Sequence, residues 1–131
     1  MSLRALSVLQ WLGVLAGAGA WTAQHVVGFG IGVAKCSAGS LHWGITFHTW
    51  QLAAMSSAAL VVVLAEACAT VVFLRTRGAN YGDGPLEEVG EVRRDRLHFF
   101  ATTALVANVL FLAIPLLDGL GAVFSSICAQ S

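Results

Sequence analysis

Residues 45–74 read ITFHTWQLAAMSSAALVVVLAEACATVVFL, and Glu66 is the sole charged side chain among them. A helix crosses the hydrocarbon core of a bilayer with roughly 20 apolar residues, so this stretch predicts a transmembrane helix. Outward on either side, residues 6–32 and 97–117 contain no Asp, Glu, Lys or Arg. They predict two more spans. The expected fold is all-α: a single membrane domain, 1–131, with three transmembrane helices. Loops 33–44 and 75–96 join them, and the tail 118–131 is too short and too polar for a fourth.

Composition excludes the main alternatives. The chain is 57% hydrophobic and 11% charged, with Lys plus Arg (7) equal to Asp plus Glu (7). Mean hydropathy is +0.79. Soluble domains carry about 25% charged residues, so a soluble enzyme and a disordered segment are both excluded. A nucleic-acid binder is excluded too, because there is no basic surplus to neutralise phosphates. The first span has features of a signal peptide, with Arg4 before it and Ala16, Ala18 and Ala20 inside it. Its apolar run continues to Gly32, past the ~7–15 residues of a signal h-region. The expectation is a retained helix.

Positive charge sets the orientation. Arg4, Arg75, Arg77, Arg93, Arg94 and Arg96 flank one side, and Lys35 stands alone on the other. The N-terminus and loop 75–96 are expected in the cytoplasm, with loop 33–44 and the C-terminal tail outside. That places Cys36 and Cys128 on one outer face, where an oxidising compartment favours a disulfide between loop and tail. Two unpaired small apolar residues are the other reading. Cys68, inside span two, reads as a packing residue.

The inner loop, RTRGANYGDGPLEEVGEVRRDR, is rich in turn residues at Gly78 and 80–84. Asp83 or Gly84 is expected to cap a short helix with Pro85 at its first position. Glu87, Glu88 and Glu91 precede Arg93, Arg94 and Arg96, an order that suits the helix dipole. The arginines also suit the lipid headgroup level. A solvated helix anchored at the membrane surface and a docking surface for a soluble partner are both consistent with it. Trp21, Trp43 and Trp50 fall near the outer interface and Trp11 near the inner one, as interfacial anchors do.

Small residues recur four apart: Gly13 and Gly17, Gly28 and Gly32, Ala54 and Ala58, Ala65 and Ala69, Thr103 and Ala107. Such pairs let backbones approach closely. Three helices cannot bury all these faces against one another, and the surplus points to a subunit of a larger assembly. Pro115 removes a hydrogen bond to Phe111 and is expected to bend span three.

Few residues carry chemistry. Glu66 is the costliest, because acids inside a membrane are rare and face a bundle interior or a water cavity. Asn108 lies at similar depth and is its expected partner. Glu66 reads either as a protonated carboxyl bonded to a neighbour or as a proton-relay or subunit-contact residue. His48 precedes it by five helical turns, on the same face but about 27 Å away, with Met55 close to that face. His25 and His48 are the best cofactor candidates. From antiparallel helices they are placed to hold haem b through both axial positions, contact a quinone, or make interfacial hydrogen bonds. They form a sparse metal site without carboxylates nearby, and none is expected. His42 and His98 lie outside that pair. Phosphate loops, nucleophile elbows and HExxH are absent.

The arrangement resembles the small three-helix accessory membrane proteins encoded beside bacterial haem-copper cytochrome c oxidase subunits. The residues carrying the likeness are Trp21, Cys36, Leu41-His42-Trp43, the basic run Arg93-Arg94-Asp95-Arg96-Leu97-His98-Phe99, and Cys128. The order around His42 is permuted, and Asp95 interrupts the basic run. The resemblance implies an accessory respiratory subunit of the bacterial inner membrane with no redox centre of its own. Lipid and the larger subunits of a terminal oxidase would be its partners, and the surrounding complex, not this chain, would be the oxidoreductase. A haem- or quinone-binding anchor subunit using His25 and His48 is the alternative, or a small proton-linked transport or assembly protein using Glu66.

Overall fold

A computed structural model describes residues 3–36, 47–77 and 85–124, with backbone alone at Leu3, Lys35, Phe47, 85–91 and 122–124. Within these residues the chain forms three α-helices: α1 (Leu3–Cys36), α2 (Phe47–Thr76) and α3 (Pro85–Phe124). Each contains a stretch long and apolar enough to cross a membrane: Arg4–Ala34, His48–Thr76 and Val92–Gly121. Hydroxyls inside the helices bond back to their own backbone, as Thr22 does to Ala18 and Thr70 to Glu66. These hydroxyls thus sit in apolar helices with their protons bonded.

Pro85 does open a helix, at the position its fixed φ and missing N–H favour. That helix does not end before the span. It runs on through Arg93, Arg94 and Arg96 as the first turns of a 40-residue α3. No glycine or proline lies between Gly90 and Pro115, and arginine is a good helix former. At its far end α3 passes Asp118 and continues to Phe124, so the expected tail begins later than 118. Pro115 is fully buried within the continuous helix.

All three helices pack on one another. Leu6 of α1 clusters with Val72 of α2 and with Leu97 and Ala101 of α3. At the other end His25 of α1 meets Asp118 of α3, while Met55 of α2 lies against Gly119. Numbers therefore rise together along α1 and α3 and fall along α2. The arginines and the Leu6 cluster mark one end of the bundle, and Cys36 marks the other. The seam of α2 is Ala58, Val62, Ala65, Ala69 and Val72, all buried. In a bilayer, whose lipid tails are as apolar as these side chains, such a seam would cohere by close packing rather than by expelling water. A methyl on Gly13 would sit 3.1 Å from the Ala69 nitrogen and 3.3 Å from the Ala65 carbonyl oxygen, which shows how near the two backbones lie.

Candidate polar site inside the bundle

Two groups of polar side chains interrupt the apolar helices, the first buried and the second at the bundle's surface. The first is at mid-bundle. Asn108 of α3 is 2% exposed, and its Nδ2 donates to the Gly13 carbonyl oxygen of α1 at 3.0 Å. Gly17, one turn further along α1, makes room for it: a Cβ there would overlap Asn108 Oδ1. The glycine pair thus opens the space, and the amide bonds a backbone acceptor across it. That bond does not run to Glu66, the partner expected from depth. Glu66 Oε2 is buried without a hydrogen-bond partner, as is Asn108 Oδ1. Glu66 lies two turns before Phe73, whose ring stacks on His98 of α3 with centroids 4.8 Å apart. Glu66 therefore occupies the α3 flank of α2.

The second group lies toward the Cys36 end. His25 Nδ1 is 3.0 Å from the Trp21 carbonyl oxygen, and Nε2 is 3.2 Å from Asp118 Oδ2. A carbonyl only accepts, so Nδ1 carries a proton. The second contact sets an imidazole nitrogen beside a carboxyl oxygen, with the two side chains 40% and 46% exposed. Trp21 packs beside His25, its ring 4.6 Å from that of His25 and 5.8 Å from that of Phe111. Trp21 Nε1, Gln24 Oε1 and Gln51 Oε1 are buried without hydrogen-bond partners, so this half of the interior holds polar atoms from both α1 and α2.

His48 is exposed in the first turn of α2. Holding a haem through His25 would require breaking one of its two ring-nitrogen contacts, to Trp21 or to Asp118. Among the described residues no three His, Cys, Asp or Glu gather as metal ligands. Cys68 is a free thiol and Cys36 is not. Cys128, its expected partner, lies outside the described residues, as do Leu41, His42, Trp43, Asp83 and Gly84.

Asp118 is the site residue that sequence reasoning missed, since it stood as the first residue of a tail. The signal was a register. Leu6–Leu97, Asn108–Gly13 and His25–Asp118 share nearly one offset between α1 and α3, which becomes readable once those helices are known to be parallel neighbours. His98 was also passed over. Its Nδ1 hydrogen-bonds with the Thr76 hydroxyl of α2 at 2.9 Å, and that hydroxyl also lies 2.9 Å from the Val72 carbonyl oxygen.

Comparison with family models, with curated proteins and with solved structures finds no match to this chain.

Proposed function

We propose that the chain is an accessory, non-catalytic subunit of a larger membrane complex, packing against and steadying bigger subunits. The observation that carries this reading is Glu66: a half-buried carboxyl on an apolar helix, with no hydrogen-bond partner for its inner oxygen and part of the side chain still open at the bundle's surface. Such groups in membranes pair with one another or line a water path, and a helix of a neighbouring subunit would supply the missing partner. The open faces of Gly28 and Gly32, where a Cβ would meet nothing within 4 Å, support it as unused surface for close approach.

The resemblance to accessory proteins of haem-copper oxidases makes a terminal oxidase of a bacterial inner membrane the complex to look for. In that setting the arginine end faces the cytoplasm, and a Cys36–Cys128 disulfide ties α1 to the segment after α3 on the outer side. A proton-linked transport or assembly role is the second reading, favoured by the close approach of two titratable side chains, His25 and Asp118, 3.2 Å apart.

The test is purification of tagged full-length chain in mild detergent, with mass spectrometry of the native assembly. The expected result is a much larger complex, retained by Glu66→Gln and lost with Glu66→Leu. Recovery of the wild-type chain alone would overturn the subunit reading. Companions without haem-copper centres would overturn the oxidase assignment while leaving the subunit reading intact.

A further inference from the structure

A cavity of ≈ 770 Å³ opens at the arginine end between α1 and α3. Its volume is within the range of small-molecule sites. Arg93 and Arg96 line it from α3, and Ser7 and Gln10 line it from α1. Spaced three apart, the two arginines share one helix face. Asp95 follows Arg93 by two residues and precedes Arg96 by one, so it projects from a different face. Among the described residues neither guanidinium forms an ion pair, and neither Ser7 nor Gln10 makes a side-chain hydrogen bond. Gln10 is 5% exposed, and its side chain borders the cavity. Two unpaired forks beside a free amide match the oxygens of a phosphate.

The rest of the wall indicates where the phosphate comes from. Trp11 and Leu97 line the same cavity. Leu97 belongs to the Leu6 core cluster, and the Trp11 ring lies 6.4 Å from Phe100. The uncharged run of α3 begins at Leu97, directly after Arg96, and both residues line the cavity. The cavity therefore lies where the charged turns of α3 give way to its apolar run, polar on one side and continuous with an apolar helix face on the other. We infer that it binds the phosphate headgroup of an anionic membrane phospholipid, with Arg93 and Arg96 on the phosphate, Gln10 and Ser7 as further donors, and Trp11 against the glycerol and upper acyl chain.

Native mass spectrometry of the full chain, released from micelles doped with phosphatidylglycerol or with phosphatidylcholine of the same acyl chains, tests this. Phosphatidylglycerol is expected to be retained at least tenfold better, and Arg93→Gln with Arg96→Gln is expected to abolish the difference. Ser7→Asp, which leaves α3 untouched, should weaken retention as well by putting an acid against the guanidinium forks. Arg75→Gln with Arg77→Gln removes the same charge from the same end of the bundle, outside the cavity, and should leave retention unchanged. Equal retention of the two lipids would overturn the inference, as would loss of retention in the Arg75/Arg77 variant alone. Displacement of the lipid by millimolar inorganic phosphate would overturn the lipid assignment in favour of a soluble anion.

Discussion

Helix α1 carries the same four-residue glycine spacing twice, and the two copies meet opposite fates. Gly13 and Gly17 lie in the bundle, against the backbone of α2 and the side chain of Asn108. Gly28 and Gly32 face open space. Their composition and the apolar helix around them are alike, so the motif alone did not decide which copy packs. What differs is what stands opposite. The first pair meets the alanine seam of α2 and an amide able to bond a backbone carbonyl that a missing side chain leaves accessible. A small residue permits close approach, and the partner's chemistry determines whether the approach happens.

The largest effect is expected where this permission is withdrawn. Gly17→Leu drives a branched side chain into Asn108 and Phe111 and should cost about 3 kcal/mol, the upper part of the usual overpacking range. Denaturation by sodium dodecyl sulfate, followed by circular dichroism, reads this as a lower unfolding midpoint. An unchanged midpoint would mean that α1 and α3 do not lie as close as described. The next effect belongs to the amide. Asn108→Leu removes one interhelical hydrogen bond, and such bonds in membranes average ~0.6 kcal/mol with a maximum near 1.7. A cycle separates space from bonding. Gly17→Ala should cost markedly less in an Asn108→Ala background than in the wild type, because the overlapping oxygen is gone. Equal costs would show that Gly17 matters for something other than seating Asn108.

Much of this architecture could be read from the chain, and the part that could not has one physical cause. The existence of three long apolar helices follows from length and hydropathy. The start of α3 at Pro85 follows from turn chemistry. Gly13, Gly17, Glu66, Asn108 and His25 all stand out as residues of interest. Hydropathy fixes how deep a residue lies but not the direction it faces, and these helices are apolar almost all round, so periodicity gives little azimuth. Matching depth alone pairs Asn108 with Glu66, whereas azimuth pairs it with Gly13. The same gap hid Asp118. As a lone polar residue after an apolar run it reads as the beginning of a tail. Once its carboxyl meets His25 and Gly119 accepts the end of Met55, nothing there stops the helix. The merging of the inner-loop helix with α3 is a different matter: no breaker separates them, and hydropathy marks where a span begins, not where a helix does.

The smallest effect on the isolated bundle is expected from the second glycine pair, and it is the most informative for the comparison. Gly28→Leu with Gly32→Leu places side chains where a Cβ meets nothing within 4 Å, so no contact inside the bundle is lost. Replacing glycine within a helix should raise bundle stability slightly, by under about 1 kcal/mol per position. If these glycines receive a helix of another subunit, the same double variant should come out of mild detergent without companions while its own unfolding midpoint holds or rises. The first pair should do the reverse, since Gly17→Leu lowers the midpoint before any question of companions arises. Two substitutions of the same kind on one helix would then separate folding from assembly. A double variant at Gly28 and Gly32 that keeps its companions would show that this face meets lipid, and would leave Glu66 as the only contact on which the subunit reading stands.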